Sequence, residues 1–463
     1  MYHVKNMVFF CIIGGKMLII FFLIILFSFL GFLTGILTGI LPGLHVNNIA
    51  LILLSLSSVF ISFFSFLNGY GVSTDVVLLL ICVFIVSNSI SHTFHDFLPS
   101  TFLGAPDEDT ALSVLPAHSL LLEGEGFSAV LYSASGSYGA VLLCFLLLFP
   151  VKFVIGSPLF FYDTLHEIMF FVLLSISILM IATEKGRIEV LGKKGVFSSL
   201  MGIFFALFVF VLSGFFGFLI FDLSVSSPVG FSSPVLFPAL AGLFGTPTLL
   251  KSILTSPCIP PQKLSEPVFD RDTKKSLFVS VVTGSLGGIL VSIIPGITSA
   301  TGTILAMITR GESDKRQTIT TISAVNTACA FFVIVMMFVI LRSRSGAAIA
   351  AMELTSVSEW KDFMLPENLI YLLIAILIAG NLSYFSFIKI GKFFAGRFNR
   401  VPYLFLVKTT ILLIVFLVFL FTGFFGLLVL FTATLIGLLP VEWGIRRSHC
   451  MGVLLIPILC YFF

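Results

Sequence analysis

The stretch that decides the fold reads Gly31-Phe32-Leu33-Thr34-Gly35-Ile36-Leu37-Thr38-Gly39-Ile40-Leu41-Pro42-Gly43. Its glycines recur at every fourth residue and therefore share one face of a helix, which proline is expected to end because it lacks the amide hydrogen. The same pattern returns 253 residues later, in residues 284–296, and again ends in Pro-Gly. A duplicated apolar helix with a proline break is typical of the centre of a membrane transporter.

The composition around these stretches predicts a polytopic membrane protein. Of 463 residues, 58% are hydrophobic and only 10% are charged, and the mean hydropathy is +1.16. Such a chain cannot bury its apolar residues in a water-soluble core. The net charge of +3 is spread over short loops, which argues against nucleic acid as a partner. The seven scattered cysteines predict neither a disulfide framework nor a metal site.

A membrane-spanning helix needs about 20 apolar residues, and ten stretches of this chain satisfy that length. They lie near residues 8–30, 75–97, 127–150, 163–182, 195–222, 235–254, 317–341, 365–388, 403–421 and 424–440. The first stretch lacks a small-residue cleavage site, so we interpret it as a retained span and not as a signal peptide.

Two apolar segments, 31–63 and 276–308, are left over, and each contains one Pro-Gly break. A single helix over either segment would measure about 50 Å, whereas two complete crossings would need about 40 residues. We therefore predict two re-entrant hairpins that turn near their Pro-Gly pairs. The alternative is that the glycine ladders are helix-packing faces.

Basic residues in short loops favour the cytoplasmic side of a membrane. Placing the basic loops 184–194 and 389–400 and the pair Arg446-Arg447 on that side puts both termini in the cytoplasm. The two hairpins then enter from opposite faces. We predict an all-α protein with two inverted repeats, 1–222 and 223–444, followed by an interfacial tail, 445–463.

Helix ends at the two predicted tips would offer unpaired N–H groups to an anion. The polar residues after each Pro-Gly pair are therefore candidate substrate contacts, and two asparagines in neighbouring spans are candidate cavity-lining residues. An equally simple interpretation is that these polar groups satisfy backbone freed by the prolines or join helices. The candidates are Pro42, Gly43, His45, Asn47, Asn48, Pro295, Gly296, Thr298, Ser299, Thr301, Asn88 and Asn326.

The stretch from residue 88 to residue 126 concentrates histidines and carboxylates beside a span. Ionisable side chains at such a place are typical of proton or cation pathways. We predict ion-coupling roles for His92, His95, Asp96 and Asp109. The alternative for the acidic run 107–109 is that it caps an interfacial helix.

Several of these motifs together resemble the TctA family, the large membrane subunits of the tripartite tricarboxylate transporters and their stand-alone archaeal relatives. They are the duplicated ladders, the run Phe102-Leu103-Gly104-Ala105-Pro106 with Asp109-Thr110-Ala111-Leu112 and Pro116, and Gly242-Leu243-Phe244-Gly245 before Thr248-Leu249-Leu250. The resemblance implies ion-coupled uptake of a carboxylate such as citrate, together with a solute-binding protein and a small membrane subunit. Ser113-Val114-Leu115 replaces the Asp-Gly that follows in bacterial members, so the chain looks closer to the archaeal branch.

The expected function is secondary active transport of a small organic anion, expected to be a carboxylate, by alternating access between the hairpin tips. Na⁺ or H⁺ is the expected coupling ion, and no cofactor is expected. A flippase for a polyprenyl-phosphate lipid is the alternative, because a helix N-terminus also suits a phosphate. An enzyme is not expected: the nucleotide-binding Gly-x4-Gly-Lys motif is absent, and Phe170 stands where a zinc protease following His166-Glu167 requires histidine.

Overall fold

The computed structural model describes residues 2–41, 46–104, 110, 114–184, 196–221, 223, 228, 235–255, 260–267, 270–295, 297–310, 314–397 and 403–463. Within these ranges the chain contains helices and no strand. The helices are α1 (Tyr2–Ile40), α2 (Val46–Ser55), α3 (Ser57–Phe63), α4 (Thr74–His95), α5 (Phe97–Phe102), α6 (Val114–Leu122), α7 (Gly126–Ile155), α8 (Phe161–Glu167), α9 (Met169–Ala182), α10 (Val196–Phe221), α11 (Leu236–Leu240), α12 (Thr246–Thr255), α13 (Arg271–Ile293), α14 (Ser299–Arg310), α15 (Lys315–Val339), α16 (Gly346–Leu354), α17 (Glu367–Arg397), α18 (Tyr403–Trp443) and α19 (Gly452–Phe462). Shorter turns lie at Ser65–Tyr70, Ala241–Gly245 and Arg447–Met451.

The described helices confirm an all-α polytopic membrane protein. Nine of them are long and apolar enough to cross a membrane, or ten if α8 and α9, which are bent by 72°, form one span. Within α18, Gly423 leaves the helical conformation with φ 64°. This kink falls between the two spans predicted to end at 421 and to begin at 424, and glycine adopts such a φ without steric cost.

The structure does not contain the boundary that was predicted at residue 30, between the first span and the first hairpin. Residues 8–30 and the glycine ladder form one continuous helix of 39 residues, α1. No proline precedes Pro42 in this stretch, and the apolar sequence contains no other strong helix breaker. In the second ladder, α13 has 23 residues, about 35 Å, so the first leg is a full-length span. The helices that follow are short, with 10 residues in α2 and 12 in α14.

Side-chain caps help to define where three of these helices begin. The amide of Thr273 donates to Asp270 at the start of α13, and that of Gln317 donates to Asp314 at the start of α15. The amide of Ala348 donates to Ser345 at the start of α16. Each carboxylate or hydroxyl oxygen satisfies one of the amide groups that a helix leaves unpaired at its first turn.

Both glycine ladders pack against the next long helix. A Cβ atom added at Gly31 would lie 2.8 Å from Cβ of Ser87, and one at Gly39 would lie 2.6 Å from Cβ of His95. The same relation holds for Gly284 with Ala324, at 2.7 Å, and for Gly288 with Ala328, at 2.6 Å. The ladders are therefore close-packing faces, as the alternative interpretation held, because only glycine lets the two backbones approach this closely.

The same contacts reveal the direction of the helices. Glycines 31, 35 and 39 of α1 contact residues 87, 91 and 95 of α4 in the same order, so these two helices run parallel. Glycines 284 and 288 of α13 contact residues 324 and 328 of α15 in the same way. Two neighbouring helices that run parallel begin on the same side of the membrane. The chain between them therefore has to return to the side on which the first helix began. Helix α14 does so by folding back along α13, because Gly302 meets Val291 and Gly287 meets Ala306. This path is the one that a hairpin with both ends on one side requires.

The C-terminal residues also pack into the fold. Cβ atoms added at Gly214 and Gly217 of α10 would collide with Ile456 and Val453 of α19, and Val453 and Leu455 are fully buried. The division of the chain into inverted repeats at 1–222 and 223–444, with 445–463 as a tail, stays a prediction.

The ladder contacts predict a strong effect on stability. We expect Gly35→Leu and Gly288→Leu to lower the free energy of unfolding by about 3 kcal/mol, the upper end for overpacking, because the new side chains would meet the backbone oxygens of Asn88 and Val325. Thermal unfolding in detergent measures the effect. The matched control is Gly69→Leu, since Gly69 is exposed and no atom lies within 4 Å of its added Cβ. Equal melting temperatures for all three variants would contradict the packing role.

Candidate functional site

Residues beside the two helix breaks contact one short segment, Arg344–Ala347, which comprises the end of the loop after α15 and the start of α16. The Arg344 guanidinium donates to the carbonyl of Ile297, which lies in the second break. The amide of Ala347 donates to Oδ1 of Asn47, which follows the first break, at 3.0 Å. Gly346 allows this approach, because an added Cβ would lie 2.9 Å from Cβ of Asn47. Residues far apart in the sequence are thus joined through the start of α16.

The start of α14 is a buried polar site beside Arg344. Ser299 and Thr301 are each 1% exposed, and Thr298 is 7% exposed. Oγ1 of Thr301 has no hydrogen-bond partner among the described residues. A helix N-terminus carries partial positive charge and unpaired N–H groups, and the arginine adds a full positive charge. This arrangement is suited to an anion.

Asn47, which follows the first break, makes a different kind of contact from the polar residues that follow the second. Pro42, Gly43 and His45 lie outside the described residues, as do Gly296 and the side chain of Asn48. Asn47 uses its side-chain oxygen to cap α16, and α2 packs against α16 and α4. Asn47 therefore joins helices, whereas Thr298, Ser299 and Thr301 line the helix start that follows Pro295.

Asn88 and His92 belong to the contact between α1 and α4. Nδ2 of Asn88 donates to Oγ1 of Thr34 at 2.9 Å, and its Oδ1 accepts from Thr38 at 3.4 Å. Nδ1 of His92 lies 3.1 Å from the same Thr38 hydroxyl. Asn88 is fully buried, and both ends of its amide are used here. The interpretation of Asn88 as a polar helix contact accounts for this geometry.

A second polar cluster lies where α4 crosses α15. Nδ2 of Asn326 donates to Oδ2 of Asp96 at 2.8 Å, and the hydroxyls of Thr93 and Thr327 are 3.2 Å apart. Asp96 is 2% exposed and Asn326 is 4% exposed. A buried carboxylate that accepts from an amide, with two threonine hydroxyls at the same helix crossing, can hold a proton or a hard cation, which prefers oxygen ligands.

The two histidines predicted as ion-coupling residues contact other helices. Nδ1 of His95 lies 2.7 Å from the Ser91 carbonyl, and its Nε2 lies 3.1 Å from Oγ of Ser386 in α17. His95 therefore connects α4 to α17, His92 faces α1, and Asp96 faces α15. Asp109 lies outside the described residues. Within the part of the chain that is described, no group of three His, Cys, Asp or Glu side chains could hold a metal ion.

Sequence reasoning missed Arg344, Thr93 and Thr327. The available signal for Arg344 is the polar run Arg342-Ser343-Arg344-Ser345 between two apolar helices. Nothing local distinguishes Thr93 or Thr327 from threonines that bond their own helix backbone.

Comparisons with known proteins agree with this architecture. The sequence profile of the tripartite tricarboxylate transporter TctA family matches residues 25–452. A protein of Methanocaldococcus jannaschii, described only as uncharacterized, is 29% identical over 444 residues, which cover 95% of this chain and 98% of that protein. No solved structure matches the chain. The resemblance seen in the motifs is confirmed: this multi-pass membrane protein belongs to the tripartite tricarboxylate transporter TctA family.

Proposed function

We propose that the protein is a secondary active transporter of a small organic carboxylate, which binds between Arg344 and the start of α14. The observation that carries this proposal is the convergence of both helix breaks on Arg344–Ala347. In this site the substrate carboxylate accepts hydrogen bonds from the first amides of α14, from the Thr301 hydroxyl and from the guanidinium. Charge-assisted bonds of this kind are about twice as strong as neutral ones.

The helix directions support alternating access by inverted repeats. Each ladder helix runs parallel to the long helix that follows it. Helices α4 and α15 cross where Thr93 meets Thr327, and Asp96, directly after α4, meets Asn326; the loop charges assign these two helices opposite directions across the membrane. Corresponding helices of opposite direction are what an inverted repeat requires. The breaks then act as hinges, and the contacts of Arg344 and Asn47 make them move together.

A coupling cation binds at Asp96 in this proposal. The carboxylate, the Asn326 amide and the paired hydroxyls of Thr93 and Thr327 supply oxygen atoms near the crossing of α4 and α15. Either Na⁺ or H⁺ would neutralise the buried carboxylate, which is costly to leave charged in an apolar environment. The cation site joins one helix from each half of the chain, so its occupancy can bias their relative position.

The remaining features follow from the family and from the loop charges. We propose that both termini are cytoplasmic, and that a solute-binding protein and a small membrane subunit deliver the substrate. The lipid flippase is not favoured. A groove of about 640 Å³ between α1 and α17 is lined by Phe22, Ile25, Leu26, Phe29, Leu377, Ile378, Asn381 and Leu382. It contains no basic side chain for a phosphate headgroup.

Uptake into proteoliposomes tests the proposed function. We expect a panel of radiolabelled mono-, di- and tricarboxylates to reveal at least one acid that accumulates when a Na⁺ or H⁺ gradient is imposed, and that leaves when the gradient is collapsed. A fluorescent polyprenyl-phosphate analogue in the same vesicles serves as the comparison. Transbilayer movement of that lipid without accumulation of any carboxylate would contradict the proposal and support the flippase.

A further inference from the structure

A buried pair of ionisable side chains lies outside the site described so far. Nε2 of His449 is 2.8 Å from Oε2 of Glu184. His449 is fully buried and Glu184 is 5% exposed. Glu184 directly follows the last turn of α9, and His449 lies in the turn Arg447–Met451 before α19. The pair therefore joins two segments that are 265 residues apart.

Glu184 is held in its charged form by its neighbours. Burial by itself would raise the pKa of Glu184, but hydrogen bonds from His449 and Arg446 outweigh burial and lower this pKa to about 2. Both the amide and Nε of Arg446 donate to Oε2, at 3.0 and 3.2 Å. A depressed carboxyl pKa stabilises the fold above the ordinary value of 4.5, and this stabilisation is lost as the pH falls towards 2. Glu184 is thus a fixed negative charge under physiological conditions.

The other nitrogen of His449 is the unusual feature. Nδ1 is buried and has no hydrogen-bond partner among the described residues. With Nε2 donating to Glu184, this geometry corresponds to a neutral ring whose Nδ1 carries a lone pair. An N–H at Nδ1 would have no acceptor among the described residues, so the protonated ring requires a shift of the ring or of its turn. Histidine is the side chain that changes charge between about pH 5 and 8.

Among the described residues, few other charged side chains belong to the elements packed around this pair. Arg446 balances Glu184, and the neighbouring Arg447 donates to the Thr248 hydroxyl. Cys450 is buried beside them, and α12 and α18 contribute the exposed Lys251–Glu442 ion pair. Helices α9 and α10 and the turn Ala241–Gly245 carry no titratable side chain. Glu442 is the other carboxylate of these packed elements, and it is exposed and paired with Lys251, so a proton on His449 adds a positive charge that Glu184 alone is placed to offset.

A direct contact links the turn of His449 to the proposed anion site. The hydroxyl of Thr298, immediately before α14, donates to Sδ of Met451 at 3.6 Å. Met451 lies two residues after His449 in the same turn. A shift of this turn can therefore move the start of α14. A positive charge in the turn also makes the electrostatic potential there more positive, because the low dielectric of a buried site strengthens Coulomb interactions.

We propose that Glu184 and His449 form a proton-binding site that takes up a proton when a carboxylate binds at the start of α14. The inference rests on the proposed function. In the balanced step, an O–H bond of hydronium breaks, an N–H bond forms at Nδ1 of His449, and the ring becomes an imidazolium beside the Glu184 carboxylate. Because coupling between two bound ligands is reciprocal, the proton strengthens carboxylate binding and the carboxylate strengthens proton binding.

Calorimetry in two buffers of different ionisation enthalpy tests the linkage on the purified full-length protein. We expect the wild type to take up close to one proton per bound carboxylate, and its Kd to rise by up to about tenfold per pH unit over the pH range in which this uptake is observed. In His449→Gln, which keeps a donor for Glu184 but cannot be protonated, both effects should disappear while binding at high pH is retained. Ser213→Ala removes only the hydroxyl that donates to the His449 carbonyl, and it should behave like the wild type.

Proton uptake by His449→Gln equal to that of the wild type would overturn the proposal. A second measurement does not depend on the substrate: ¹⁵N resonances of labelled histidines, with His449→Gln for assignment, should show the His449 ring changing from the neutral to the protonated form as the pH is lowered. A ring that stays neutral at every pH at which the protein remains folded overturns the proton site even if carboxylates bind. If no carboxylate binds but the ring titrates, the coupling to a carboxylate is refuted along with the proposed function, and the ring remains a proton site.

Discussion

Replacing Arg344 by glutamine should reduce carboxylate uptake by about 100-fold at subsaturating substrate, which corresponds to about 2.7 kcal/mol of lost binding. The guanidinium is the one full positive charge that we place at the start of α14, and it also holds the Ile297 carbonyl of the second break. Glutamine can keep one donated hydrogen bond but not the charge. The loss should appear in the substrate Kd, which equilibrium binding to detergent-solubilised protein measures directly.

A neighbouring arginine provides the matched control for this experiment. Arg342 is exposed, lies over the Tyr162 ring and contacts Nε2 of His166, so Arg342→Gln should bind and transport substrate like the wild type. Arg344→Lys should recover part of the affinity, because it restores the charge without the planar donor pair. Unchanged binding in Arg344→Gln, with a folded protein, would rule out the site at the start of α14.

Asp96→Asn should abolish accumulation driven by an ion gradient while leaving exchange of substrate between the two sides in place. The substitution removes the charge that would bind the coupling cation, yet an amide of similar shape can still meet Asn326 across the crossing of α4 and α15. Exchange needs the conformational change but no net movement of the cation. Uptake into vesicles with an imposed gradient, compared with counterflow in vesicles preloaded with substrate, separates the two activities.

The exposed Asp362 supplies the control, because Asp362→Asn removes a carboxylate far from any proposed site in the sequence and should alter neither activity. Two outcomes would refute the role of Asp96. One is gradient-driven accumulation at the level of the wild type, and the other is the loss of both accumulation and exchange in a protein whose melting temperature is unchanged.

Much of the fold could be predicted from the sequence because the relevant signals are local. The span predicted at 127–150 corresponds to α7, which covers Gly126–Ile155, and the break predicted between 421 and 424 is found at Gly423. Hydropathy over about 20 residues and the loss of a helical conformation at one glycine or proline do not depend on distant residues. The same reasoning failed at residue 30, where one helix continues through a predicted boundary. Two consecutive apolar segments with no helix-breaking residue between them can form either two helices or one.

The candidate site was predicted only in part. The position of the second tip and the roles of Thr298, Ser299 and Thr301 as residues of a buried helix start follow from Pro295. Arg344 was missed because its approach to Ile297 depends on how α15, α14 and α16 pack. Asn88 and Asn326 look alike in the sequence, yet one joins α1 to α4 and the other reaches a carboxylate.

The sequence by itself determined three properties of this protein: its insertion in a membrane, the positions of its helices, and the points at which two of them end. These properties follow from the length of the apolar segments and from the positions of proline. Only the tertiary structure decided which polar groups share a site. A buried polar group without a partner is costly in apolar surroundings. Helix packing decides which partner it contacts, and that partner can lie far away in the sequence, as Ala347 does from Asn47 and His449 from Glu184.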